Sequence, residues 1–245
     1  MSKWFVKLRL SKTPKLRIFL FPHAGAGPSI FRNWEQNFSS DTDLLAVHLP
    51  GRETRFNEKP INCLDTIVKH LTIEILPYCD RPCIFVGHSN GALIAFALAQ
   101  ELARQKSFRL LHMVVSAKNS PNDPYERKKP FEMSDDEFLM DLKQTSSIPA
   151  EILSDKEAME LFLPVLRADY SVGLDCKHSK FYKLRCDASL FWGAQDEGVP
   201  LASMLGWQNL FEGHVETYEF AGDHFFILTE KERFVSKLSE ILENY

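Results

Sequence analysis

The sequence predicts an α/β protein with a mostly parallel central sheet, helices on both faces and a helical segment inserted between two strands. Three observations lead there. Apolar strand-like runs alternate with stretches of helical period, as in a parallel sheet covered on both sides. One buried run ends at Gly87-His88-Ser89-Asn90-Gly91 and leads into a helix apolar nearly all round. From about residue 120 to 181 the strands stop, which divides the chain into 1–119, an insertion 120–181, and 182–245.

Trp4, Val6, Leu8 and Leu10 alternate with Phe5, Lys7 and Arg9, the period of a half-buried edge strand. Leu16–Phe21 is a continuous apolar run, expected of a strand covered on both faces. Ile30, Phe31, Trp34 and Phe38 recur at helical spacing, and Leu44–Leu49 reads as a strand. Leu64, Ile67, Val68, Leu71 and Ile75 make the stripe of a helix started by Asn62 and stopped near Pro77. Cys83–Val86 is a short buried strand, followed by a central helix over Gly91–Gln105. Leu110–Val115, Ala188–Trp192 and Val215–Phe220 read as further strands. Ser134…Glu137, Ser154…Glu157 and Thr229…Glu232 have capping-box spacing, the third opening a last helix with Phe234, Val235, Leu238, Ile241 and Leu242 inward.

Within the insertion, Pro164 is expected to kink or split its second helix. An all-helical insert most simply sits over one end of the sheet as a cap. Its apolar residues (Phe131, Phe138, Leu142, Leu161, Phe162, Leu166, Tyr170) line a tunnel or hold the cap together, and both can be true at once.

The 245 residues are 44% hydrophobic and 25% charged, ordinary globular composition. A net charge of −4 leaves none of the basic footprint of a nucleic-acid binder. No window approaches the roughly 18 apolar residues of a spanning helix. Lys3, Lys7 and Arg9 interrupt any signal-peptide core, so neither membrane insertion nor export is expected. The odd set Cys63, Cys79, Cys83, Cys176 and Cys186 lacks a disulfide framework and suits a reducing cytoplasm. Cys79-x-x-x-Cys83 and Cys176-x-His178 are each half of a metal site without a second half, so no metal is expected.

Gly87–Gly91 fits G-x-S-x-G in the strand–turn–helix context that gives the motif meaning. The glycines relieve crowding around a serine held at strained backbone angles. A serine hydroxyl is a weak nucleophile until a base takes its proton, so a histidine and an orienting acid are required, in the order Ser, Asp/Glu, His. Asp196 lies in the loop after Ser189–Trp192 and His224 in the loop after Thr217–Phe220, so both project from the serine's rim of the sheet. His48, His70 and His112 read as packing or surface residues, His178 falls in the insertion, and His88 would point away from the serine. Asp196 is preferred to Glu197, Asp223 and Asp175 as the shorter acid nearer the strand end. An attacked carbonyl also needs two preset N–H groups. They are assigned to Asn90 and, in the glycine-rich Phe21–Gly27 loop, to Ala24. No Gly-Lys-Ser/Thr follows that loop, which excludes a phosphate-binding P-loop.

Together these segments resemble the type II thioesterases that accompany nonribosomal peptide and polyketide synthetases, members of the α/β-hydrolase superfamily. The matching residues are Phe21–Gly25, Leu49-Pro50-Gly51-Arg52-Glu53 with Arg55 and Glu58, and Gly87–Ala92 with Ala95-Phe96. Leu163-Pro164-x-Leu166-Arg167-Ala168-Asp169-Tyr170 and Gly222–Phe226 complete the set. The chain departs where the family usually has Met (Asn90), Gly (Ala26) and Ser-Gly-Arg-x-Ala-Pro (Ser116–Pro121). The resemblance implies hydrolysis of stalled or wrong acyl groups from the phosphopantetheine arm of a carrier protein, with no cofactor of the enzyme's own. It assigns catalysis to Ser89, Asp196 and His224 and the oxyanion to the Ala24 and Asn90 amides. Candidate pocket residues are His23 and Phe225, next in sequence to those groups, and Phe131, Phe138 and Phe162 in the insertion. The expected partners are acyl or peptidyl carrier domains, approached by a monomer; docking on their acidic surface calls for a local basic or apolar patch, and Arg127-Lys128-Lys129 is the one basic run, which reads first as a solvated loop and otherwise as that patch. Alternatives are a medium-chain fatty-acyl carrier thioesterase, a carboxylesterase acting on small esters, and a catalytically silent carrier-binding protein.

Overall fold

A computed structural model describes residues 2–104, 108–123, 129–144, 156–174 and 181–245. Ser154, Asp175, Cys176, His178, Arg127 and Lys128 lie outside the described residues. Seven strands form one sheet in the order β1-β3-β2-β4-β5-β6-β7. They are β1 (Phe5–Arg9), β2 (Leu16–Phe21), β3 (Thr42–Val47), β4 (Cys83–His88), β5 (Leu110–Ser116), β6 (Asp187–Gly193) and β7 (Val215–Phe220). Every pairing is parallel except β1 with β3. The order reverses between β2 and β4, and the crevice at the carboxyl ends of strands flanking such a switch point is where open α/β sheets bind ligands.

Continuous apolar runs become two cores because successive strand residues face opposite sides. Phe19, Phe21, Phe85, Met113, Val115 and Leu190 face α1 (Leu64–Ile75) and α2 (Asn90–Leu102). Ile18, Leu20, Ile84, Val86, Val114 and Phe191 belong to the opposite core with Phe234, Val235, Leu238 and Ile241 of the last helix. Each buried Phe side chain contributes about 1.5–3 kcal/mol.

Several elements differ from the sequence reading. In β1 the alternation fails at both ends: Trp4 and Phe5 both enter the core, a register shift falls between Lys7 and Arg9, and Leu10, past the strand, is exposed. Ile30 to Phe38 form no α-helix. Asn33, at φ 67°, separates two short 3-10 turns, Pro28–Phe31 and Trp34–Asn37. Helix α1 is preceded by Cys63 with no side-chain cap, so Asn62 does not start it. In the insertion, α3 (Asp135–Gln144) has the expected capping box: Ser134 N–H donates to Glu137 at 2.8 Å and Glu137 N–H to the Ser134 hydroxyl at 3.2 Å. α4 (Lys156–Val172) is not split by Pro164. α5 (Leu201–Leu205), α6 (Phe226–Thr229) and α7 (Lys231–Leu242) complete the chain. The Thr229…Glu232 capping box is absent. Thr229 is already helical as the last residue of α6, and an N-cap needs extended backbone; Glu230 precedes α7 without a cap bond.

Tyr245 is tied to the starts of β5 and β6. Tyr245 donates its phenolic proton to Asp187 at 2.9 Å, so its oxygen accepts His112 Nδ1–H at 3.0 Å. His112 Nε2 is then left to accept the Ser189 hydroxyl at 2.9 Å, and burial pushes the imidazole down to about 4. Among the described residues, no helix is long and apolar enough to cross a membrane.

Candidate active site

Ser89 stands between β4 and α2 at φ 54° and ψ −121°. That conformation is strained for a side-chain-bearing residue, by about 1–3 kcal/mol. Its surroundings hold it there: Ser89 N–H donates to Ser116 O at 2.7 Å, and Ala92 N–H to Ser89 O at 3.0 Å. The flanking glycines are steric necessities. A Cβ on Gly87 would lie 2.4 Å from Ala92 Cα, and one on Gly91 would lie 2.1 Å from Phe21 O. Without side chains there, the α2 N-terminus presses against the end of β2.

Two loops at the same rim bring the partners. Ala194 N–H bonds Phe220 O and Gln195 N–H bonds Gly222 O, both at 2.9 Å, so the β6 and β7 loops are tied together. His224 Nε2 lies 2.8 Å from Ser89 Oγ, and His224 Nδ1 lies 2.7 Å from Asp196 Oδ2. Nδ1–H must donate to the carboxylate, which leaves Nε2 to accept the serine proton. The Asp196 side chain is 2% exposed, and its other oxygen accepts Gly198 N–H at 3.1 Å. The competing acids do not face the imidazole nitrogen: Asp223 accepts Phe225 N–H at 2.8 Å, and Glu197 is exposed while Asp196 is buried.

Two more histidines stand beside this relay. His88 turns from Ser89, but its role is not packing alone. Its Nε2–H donates to the carbonyl of His224 at 2.8 Å, and Nδ1 accepts the Ser116 hydroxyl at 2.8 Å. Burial, reinforced by His224 and His23 nearby, holds the His88 imidazole well below its usual range, so it stays neutral. His23 donates from Nδ1 to Ala24 O at 2.9 Å and is pushed down to about 4, mainly by burial. Phe225 sits edge-on to both His23 and His224, at 5.5 and 5.6 Å between centroids.

A seven-strand sheet carrying a Ser–His–Asp relay at its switch point makes the comparisons with known proteins decisive. The sequence profile of the thioesterase domain matches residues 16–242. The chain belongs to the thioesterase family. The gramicidin S biosynthesis protein GrsT of Aneurinibacillus migulanus is 34% identical over 230 residues, 94% of this chain and 90% of that protein. The medium-chain S-acyl fatty acid synthase thioesterase of Rattus norvegicus is 29% identical over 225 residues, 89% and 84% respectively. The solved structure of BorB, the type II thioesterase from the borrelidin biosynthetic cluster, superposes with a TM-score of 0.86 at 26% identity. That match covers 97% of this chain and 96% of BorB. The protein is thus a thioester hydrolase with the α/β-hydrolase fold.

Two of the segments that carry the resemblance, Leu49–Glu53 and Leu163–Tyr170, meet in the thioesterase through Arg52 and Asp169. Arg52, 4% exposed, forms a fork with Asp169, 1% exposed: Nη1 donates to Oδ2 at 2.6 Å and Nη2 to Oδ1 at 2.9 Å. Arg52 also reaches the carbonyls of Ala26 at 3.3 Å and Pro50 at 3.2 Å. Asp169 Oδ2 accepts Gly25 N–H at 2.7 Å, and the Asp169 carbonyl accepts Asn90 Nδ2–H at 2.9 Å. Sequence reasoning named Arg52 and Asp169 only as resemblance and gave neither a role.

The other pocket candidates are dispersed. Phe131 lines an open cavity of about 220 Å³ with Asn62, Cys63, Lys129, Glu132, Ser171 and Leu174. Phe138 is fully buried with Leu142, Met159, Leu163 and Leu166, so it holds the insertion together. Phe162 is 41% exposed. Cys63, Cys79, Cys83 and Cys186 are free thiols, and burial pushes Cys83 up to about 12. Among the described residues, no group of three or more His, Cys, Asp or Glu side chains is placed to hold a metal ion.

Proposed function

We propose that this thioesterase releases acyl groups from the phosphopantetheine arm of carrier proteins, clearing stalled or aberrant chains in nonribosomal peptide or polyketide synthesis. The carrying observation is the relay from Ser89 through His224 to Asp196, at 2.8 and 2.7 Å. Its likeness to GrsT, whose setting is gramicidin S biosynthesis, supports the carrier-bound substrate.

His224 Nε2 takes the Ser89 proton as Oγ attacks the thioester carbonyl. The oxyanion rests on the Ala24 and Asn90 amides. Asn90 is the first residue of α2, so its N–H has no acceptor within that helix. The intermediate collapses, the C–S bond breaks, and imidazolium gives its proton to the departing thiolate. Water, deprotonated by the same nitrogen, then cleaves the acyl-serine ester and regenerates Ser89. Asp196 keeps the imidazole in the tautomer both halves need. Every step uses this chain's side chains and amides, with the phosphopantetheine supplied by the substrate.

Residues 120–181 act as the lid in this reading, between core segments 1–119 and 182–245. The separate cluster around Phe138 and the reach of α4 to Asn90 support it. The partner is an acidic carrier domain in the cytoplasm. Lys129, the described member of the basic run, lies 3.6 Å from Glu132. A second reading, a medium-chain fatty-acyl carrier substrate, is favoured by the likeness to the rat enzyme.

The test is release of radiolabelled acyl groups from loaded peptidyl carrier, fatty-acid carrier and simple oxoesters in parallel. The proposal predicts fastest release from peptidyl or polyketide carriers and none with Ser89→Ala. Preference for fatty-acid carriers or free esters contradicts it.

A further inference from the structure

We infer that Asp169, clamped by Arg52, is a positioning residue for the oxyanion hole, and that the hole is assembled only while lid helix α4 is seated. This rests on the reading above and adds a coupling between lid and chemistry.

Asp169 touches the surroundings of both proposed oxyanion donors. Its carboxylate accepts the N–H of Gly25, directly after Ala24. Its backbone carbonyl accepts the side chain of Asn90, whose own amide is the other donor. The Ala24–Gly25 peptide is thus held from both sides, its oxygen by His23 Nδ1–H and its N–H by Asp169. Two fixed groups leave that peptide plane no freedom to rotate, and the Ala24 N–H belongs to the adjoining peptide, joined to it through Ala24 Cα. The contact is tight: Gly25 has φ 77°, and a Cβ there would lie 2.9 Å from Leu166 Cδ2, also on α4.

The α4 end needs these bonds as much as the loop does. Asp169 is among the last four residues of the helix, Lys156–Val172, whose carbonyls lack intrahelical donors. Asn90 supplies one. An uncompensated buried carboxylate would be strongly destabilising, and the Arg52 fork neutralises it. Stability alone does not call for such a pair, since well-packed apolar residues often replace a buried ion pair without loss. What apolar residues cannot do is accept the Gly25 N–H. When α4 lifts, both bonds to the donors' surroundings break together.

The test compares wild type, Ser89→Ala and the double variant Arg52→Met/Asp169→Leu, which removes both charges at once. The readouts are kcat and KM on an acyl-pantetheine thioester, the thermal midpoint, and the inhibition constant of an acyl trifluoromethyl ketone that Ser89 converts to a tetrahedral oxyanion. Loss of an oxyanion donor lowers turnover about 10²–10³-fold, so the folded double variant is expected to lose about 10²-fold in kcat with KM little changed. Ketone affinity is expected to fall in parallel with kcat/KM, a loss a merely structural role does not produce. Wild-type kcat or ketone affinity in the folded double variant overturns the inference. If the double variant does not fold, Asn90→Leu carries the test, because it leaves the ion pair and both backbone amides intact while cutting the strap to α4. About tenfold lower kcat with matching loss of ketone affinity supports the coupling, and unchanged ketone affinity overturns it. Failure of the parent reading is distinct: wild type then releases no acyl group, or Ser89→Ala releases as much.

Discussion

Alanine at Gly91 is the smallest substitution that disturbs the site's geometry. The added Cβ would lie 2.1 Å from Phe21 O and 2.5 Å from Phe21 C and Pro22 O. A carbon rests against a carbonyl oxygen at about 3.3 Å, so roughly 1.2 Å of separation must be gained. The atoms in the way are backbone at the end of β2, which pairs with β3 on one side and β4 on the other. The start of α2 must therefore move, carrying Ser89 and the Asn90 amide away from His224 and the Ala24 loop. A misplacement near 1 Å costs about 10² in rate. Overpacking costs about 1–3 kcal/mol, partly offset by the roughly 1 kcal/mol that alanine gains over glycine in a helix. Turnover is thus expected to fall about 100-fold while the protein still folds, read by thioester hydrolysis beside a denaturant titration. Gly173→Ala is the control: its Cβ would meet nothing closer than Leu93 Cδ2 at 3.6 Å. Undiminished turnover in Gly91→Ala would refute the claim that helix–strand contact sets the serine's position.

Asp196→Asn should lower kcat about 10⁴-fold, since an amide no longer holds Nδ1–H and the imidazole loses its working tautomer. Steady-state hydrolysis of an acyl-pantetheine thioester checks this, and activity near wild type contradicts it. His112, held down to about 4 by burial, makes the fold sensitive to acid. The unfolded chain takes up this proton near pH 6.5 and the folded chain does not, so stability falls from there toward pH 4, at up to about 1.4 kcal/mol per pH unit. His112→Gln should flatten that slope in denaturant titrations, though not abolish it, because His23 and His88 are also lowered. An unchanged slope contradicts the assignment. Phe138→Ala should cost about 3–5 kcal/mol within the insertion and speed amide exchange in α3 and α4 while sparing α2. A shift in acyl-chain preference without faster exchange would instead make Phe138 a pocket wall.

What the sequence makes legible is local. Gly87 and Gly91 betray the turn because only glycine fits there, and Asp196 and His224 follow because each sits just past a strand end. Long-range bonds leave no such trace. Arg52 and Asp169 are 117 positions apart, and His88 and the His224 carbonyl 136, so no spacing in either segment points to the other. Thr229 had the right neighbours for a cap but was already committed to α6. Trp4 to Leu10 had the alternation of a half-buried strand, yet Phe5, on its outward phase, is in the core and Leu10 is not. Ala117, where the resembling family has glycine, adopts φ 49°, which shows why glycine suits that position without explaining the alanine here.

The most direct test of the covalent mechanism is to quench a reaction with radiolabelled acyl-carrier in milliseconds and map the label by peptide mass. The mechanism predicts an acyl ester on the peptide containing Ser89, formed before free acid accumulates and lost together with release in Ser89→Ala. Label on Cys63 or any other residue, or release that continues without Ser89, would contradict it.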